Sequence, residues 1–108
     1  MINNINNFGK IITKLPDDYK IEMKNPIHKL TYHTSDICCL CILNDGRLVS
    51  GSSDNSIIIY NKTTYQLDLT IKEHNSDVNC INQLSSGILA SCSSDNAIKL
   101  FNNKRNEI

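Results

Sequence analysis

The sequence predicts an all-β chain of antiparallel four-stranded sheets, with about two such units in succession. Two observations carry this expectation: an internal repeat of 41 residues, and short apolar or β-branched runs punctuated by turn-forming residues. Residues 33–62 lie over 74–103 without a gap, and 14 of the 29 positions from 33 to 61 are identical. The matches include His33 with His74, Asp36 with Asp77, Cys39 with Cys80, Gly46 with Gly87, Ser50 with Ser91, Asp54 with Asp95 and Asn61 with Asn102. A period near 41 suits four-stranded sheet repeats but overlaps that of helical repeats, so the pattern inside the unit has to decide.

Residues 37–43 are uniformly apolar and end at Asn44, Asp45 and Gly46, which turn a chain back on itself. They read as a strand buried on both faces, leading into a hairpin. Residues 47–52 follow as a second strand, and Ser53, Asp54 and Asn55 supply another turn. Ile57, Ile58, Ile59 and Tyr60 are β-branched or aromatic, the composition of a third strand. Lys99 in the copy stands where Ile58 does, which marks Ile58 as the one of the three isoleucines expected to face water. Next, Tyr65, Leu67, Leu69 and Ile71 alternate with Gln66, Asp68 and Thr70, the period of a strand with one wet face. The copy repeats the first three strands at 78–84, 88–92 and 97–101 and lacks the fourth. Residues 27–32 occupy the place of a preceding outer strand, against which Pro26 and Lys29 argue. Three segments result: an irregular N-terminal extension at 1–26, a first unit at 27–61 and a second at 62–108.

Composition narrows the range of partners. Eleven basic and eleven acidic residues balance, and no concentrated basic face is present to neutralise phosphates, so nucleic acid is not expected. No apolar run reaches the ~18 residues of a membrane-spanning helix. The N-terminus has no charged start followed by an apolar stretch and a cleavage site. Five cysteines, an odd number, read as free thiols. The expected setting is intracellular, cytoplasmic before nuclear.

With a histidine, some two dozen residues, and then Ser50 to Asn61 in the first copy and Ser91 to Asn102 in the second, the chain resembles the WD40 repeat family. The resemblance implies blades of an incomplete β-propeller. It also implies a structural hydrogen-bond network of His33, Ser50, Asp54 and Tyr60, and of His74, Ser91, Asp95 and Phe101 in the copy. The family's tryptophan is absent from both copies. Tyr60 keeps a hydroxyl, whereas Phe101 leaves its network one member short. Tyr32 and Glu73 replace the glycine usual before the histidine, and Asn61 and Asn102 the closing aspartate.

A histidine, a serine and an aspartate also invite comparison with a hydrolase triad. The set occurs twice at identical spacing, however, which points to a duplicated structural unit, and a triad is recognised by geometry rather than by composition. Cys38, Cys39 and Cys41 could suggest a metal or redox site, but on a strand Cys38 points away from the other two, and paired zinc ligands keep wider spacing. No catalytic residue, cofactor or metal is therefore expected. The leading expectation is a protein-interaction scaffold that grips a protein or peptide. One alternative is a substrate-selecting propeller of a larger enzyme such as a kinase or ubiquitin-ligase subunit, and another is a cysteine-based metal or thiol sensor. A propeller closes with about four to eight blades, so further blades in cis or self-association are expected partners.

Overall fold

The computed structural model describes residues 23–102. Seven strands are present among them: β1 (Ile37–Ile42), β2 (Leu48–Ser52), β3 (Ile57–Tyr60), β4 (Leu67–Ile71), β5 (Val78–Gln83), β6 (Leu89–Ser93) and β7 (Ile98–Phe101). They form two antiparallel meanders, a four-stranded sheet in the order β1-β2-β3-β4 and a three-stranded sheet in the order β5-β6-β7. Residues 27–32 form no strand, in keeping with Pro26 and Lys29. Residues 1–22 and 103–108, parts of the expected extension and second unit, lie outside the described residues.

The turns explain why the strands end where they do. Gly46 and Gly87 take φ of +97° and +96° at the tips of the β1-β2 and β5-β6 hairpins, where a side chain would be strained. Asp45 steadies the first tip, accepting from the Arg47 amide at 3.1 Å and from its guanidinium at 2.9 Å. The β2-β3 and β6-β7 turns use Asn55 and Asn96 at φ +74° and +73°, a region asparagine tolerates better than most residues.

The core lies between the sheets. Cys39 and Cys41 face Gly51 and Val49 across β1-β2, and Val49 and Gly51 face Ile59 and Ile57 across β2-β3, so one face of the first sheet is a continuous apolar surface. Leu43, Val49, Ile57 and Ile59 pack there against Val78, Ile81 and Leu89 of the second sheet. Gly51 sets how closely the sheets approach. A Cβ at this position would lie 2.7 Å from Val78 Cγ1 and 3.0 Å from Ile81 Cδ1. At the hairpin end, the Asn44 amide donates to Gln83 Oε1 at 2.6 Å, which ties the two sheets together.

Three expectations need correction. β1 is covered on one face only, because Leu40 and Ile42 on the other are 63% and 70% exposed. An unbroken apolar run shows that both faces can be buried, not that both have neighbours. Ile58 is 2% exposed and shares its face with Ser50, over which residues 32 and 33 lie. Lys99 holds the same place in the copy and is partly buried, its ammonium reaching the Glu73 carbonyl at 2.6 Å. A lysine can thus line a covered face by extending its head to the rim. Finally, Tyr65 lies outside β4 with φ of +62°. A register shift sets Leu69 opposite Ile59 but Leu67 opposite Tyr60, so the alternating leucines do not share one face.

Candidate functional site

The first network begins in the extended segment before β1, which brings His33 over the β2-β3 hairpin. The His33 Nδ1 stands 2.9 Å from Asp54 Oδ2, and its Nε2 stands 2.6 Å from Ser50 Oγ. Ser50 Oγ in turn lies 2.8 Å from the Tyr60 hydroxyl. One proton arrangement satisfies every group. Tyr60 donates to Ser50, Ser50 donates to Nε2 of a neutral imidazole, and Nδ1–H donates to the carboxylate. Asp54 accepts further bonds from the Thr34 amide at 2.9 Å, the Ser56 amide at 2.9 Å and the Ser56 hydroxyl at 2.5 Å. Burial alone would raise the Asp54 carboxyl. The Ser56 hydroxyl, the amides of Thr34 and Ser56 and the His33 ring outweigh it and hold the group well below the usual carboxylate range.

The second network repeats the first. His74 Nδ1 stands 2.9 Å from Asp95 Oδ2, and its Nε2 stands 2.7 Å from Ser91 Oγ. The Asn75 amide, with the His74 ring and the Ala97 amide, holds Asp95 well below the usual range against the opposing effect of burial. Two hydroxyls are missing relative to the first network. Phe101 brings no hydroxyl to Ser91, and Ala97 stands where Ser56 donates to Asp54. Around both centres the smaller contacts also repeat. Ser52 Oγ and Ser93 Oγ accept from the Asp54 and Asp95 amides at 3.0 Å, and the Ser53 and Ser94 amides donate to the Asp36 and Asp77 carbonyls at 2.8 and 3.0 Å.

Aspartate, histidine and serine joined in this order are also the hydrogen-bonding sequence of a hydrolytic triad. Access separates the two cases. Ser50 is 1% exposed, and its Oγ is enclosed between the His33 ring and the Tyr60 hydroxyl, so an incoming carbonyl has no approach to it. Ser91 is likewise buried, although Phe101 gives it no flanking hydroxyl. The arrangement suits holding a loop, a hairpin and a strand together.

The cysteines do not converge. Cys39 and Cys41 lie on the inner face of β1, while Cys38 reaches Ser53 Oγ at 3.3 Å. Among the described residues no three His, Cys, Asp or Glu side chains are grouped to hold a metal ion. An open cleft of about 530 Å³ lies where the end of β4 meets β7, lined by Thr70, Ile71, Lys72, Lys99 and Phe101 among others. Lys99 is engaged there with the Glu73 carbonyl.

Sequence reasoning missed two features that position these parts. Gln83 links the sheets from the place Ile42 holds in the first copy, and only its departure from the apolar pattern marked it. The close approach at Gly51 was signalled by glycine standing where the copy has Cys92.

A comparison with curated proteins found no match. The sequence profile of the WD domain, G-beta repeat, matches residues 24–61 and again residues 65–102. Each match runs from the position of an outer strand, through a histidine, to the asparagine that closes the third strand of the following sheet. With both matches falling on the sheets and networks described above, the chain belongs to the WD40 repeat family and contributes two of its repeats.

Proposed function

We propose that the chain is a protein-interaction scaffold without catalytic activity of its own, holding a protein or peptide on the apolar faces of its blades. WD40 repeats are in general interaction modules, and the observation that carries the reading to this chain is where its large apolar side chains are left uncovered. Leu40 and Ile42 are exposed on one side of the blade pair, and on the other Ile98 and Leu100 are 75% and 60% exposed. Clustered apolar surface of this kind on regular strands is what a partner covers, whether a foreign polypeptide or a further blade. The networks at His33 and His74 hold the flanking loops, so the surface is presented by a rigid frame. Balanced charge favours a polypeptide over a polyanion. An odd number of cysteines, five, fits an intracellular setting.

Placing a photo-crosslinking residue at Leu100 in the full chain tests the reading. A saturable cross-link to a protein or peptide, lost in Ile98→Asp, is the expected result. A hydrolytic activity abolished by Ser50→Ala would overturn it.

A further inference from the structure

The five cysteines have different surroundings. Cys39 is part of the inter-sheet packing, its thiol 3.6 Å from the Val78 carbonyl, and burial pushes its pKa up to about 11. That thiol is inert at ordinary pH. Cys80 and Cys92 are different. They are direct partners across β5 and β6, on the face of the second blade turned away from the first, and Cys80 is exposed.

Two separate measures of this pair agree. Direct antiparallel partners have Cα atoms about 4.5–5.5 Å apart, within the span of about 4.4–6.8 Å that a disulfide bridges. The second measure comes from the first blade, where the equivalent partners are Cys39 and Gly51, also directly after a register shift in the innermost strand. A Cβ built on Gly51 would lie 2.8 Å from Cys39 Sγ. In a disulfide, each Cβ stands about 3 Å from the partner sulfur, as follows from its bond lengths. The repeat backbone therefore already carries one sulfur to disulfide distance from the opposite Cβ, and the second blade puts a cysteine at that opposite position.

We propose that Cys80 and Cys92 form a redox site, a cross-strand thiol pair that a hydroperoxide or a low-molecular-weight disulfide oxidises to a bridge between β5 and β6. With hydrogen peroxide, the Cys80 thiolate attacks one peroxide oxygen, the O–O bond breaks, and the hydroxide released takes up a proton as water. The resulting sulfenic acid is attacked at sulfur by the Cys92 thiolate. The S–S bond forms as the S–O bond breaks, and hydroxide again leaves as water. Two thiols and one peroxide thus give one disulfide and two waters, the sulfurs losing two electrons and the peroxide gaining them. With oxidised glutathione, the same two electrons pass by thiol–disulfide exchange, and two molecules of reduced glutathione leave. Ile98 is the direct partner of Cys92 on β7, so the bridge sits beside an exposed apolar side chain of the open face. The redox site stands whatever that face binds.

The sequence offers a direct assay. Trypsin cleaves after Lys72 and Lys99 and at no residue between them, so residues 73–99 leave as one peptide whose only cysteines are Cys80 and Cys92. The full chain is held in glutathione buffers of increasing oxidised fraction, or in hydrogen peroxide, then alkylated and mapped by mass spectrometry. The expected peptide is two hydrogen masses lighter than the thiol form, carries no alkyl group and returns to the dithiol with dithiothreitol. Cys39→Ser and Cys38→Ser keep this product, and Cys80→Ser and Cys92→Ser lose it. The wild-type peptide decides the matter even where a variant fails to fold. Finding both thiols still alkylated, each capped by its own glutathione, or cross-linked to Cys38, Cys39 and Cys41 as often as in urea would overturn the proposal.

Discussion

The Ser50 hydroxyl lies 2.8 Å from the hydroxyl of Tyr60, a contact the second blade lacks because Phe101 holds the tyrosine's place. Tyr60→Phe removes one buried hydrogen bond and leaves the Ser50 oxygen without its donor. The expected cost is about 0.5–1.5 kcal/mol, read from the denaturant midpoint of the full chain. The packed ring is retained, so an unchanged midpoint would show that the hydroxyl contributes nothing.

Asp54 accepts four hydrogen bonds from three residues. Asp54→Ala leaves those donors without their acceptor and is expected to cost at least 1 to 3 kcal/mol, detected as a lower melting temperature. Equal melting of variant and parent would remove the network from the account of stability.

Both carboxylates are held below their ordinary range in the folded chain, which fixes the direction of a pH effect. Their contribution is fully present above the unfolded value of about 3.9 and is lost as pH falls below it towards the depressed folded values. Urea midpoints are therefore expected to drop on acidification through that window. The double variant Asp54→Asn with Asp95→Asn should show a shallower dependence.

Gly51 has no room for a methyl group, since its nearest would-be contacts are Val78, Cys39 and Ile81 at 3.0 Å or less. Gly51→Ala is expected to destabilise by about 1–3 kcal/mol through overpacking, despite alanine's lower entropic cost of folding. Calorimetry showing a more stable variant would mean that the sheets move apart freely.

Ile59 and Leu69 are direct partners across β3 and β4, yet one is buried and the other 50% exposed. Ile59→Asp places an unpaired charge in the core and should cost more than about 3 kcal/mol. Leu69→Asp should cost about 1 kcal/mol or less. Comparable losses from the two in urea unfolding would show that β4 packs more deeply than the structure indicates.

What the sequence discloses here depends on what is local. The 41-residue period located the His, Ser and Asp positions because duplication repeats them at fixed spacing, and turn residues bounded most strands to within one residue. That β1 keeps a face uncovered follows from so few blades, but which face was not legible, since Leu40 and Ile42 carry the same apolar signal whether or not a neighbour exists. Ile58 was misread because a lysine in the copy passes for a wet position until its path to the Glu73 carbonyl is seen. At Leu67, the register shift undoes the alternation that the sequence displays.

Gly51 and Cys92 occupy equivalent positions, and so do Val49 and Ala90. Moving from the first blade to the second, bulk is removed at one point of the face and added at the next point along the strand. A neighbour shaped like the second blade fits the first, because Val78 enters the space over Gly51. The same neighbour set on the second blade would meet sulfur at that point and a gap beside it. The two repeats, near copies in their hydrogen bonding, are therefore not interchangeable as surfaces, and their order in the chain is encoded in the exchange of a hydrogen for a CH2SH group.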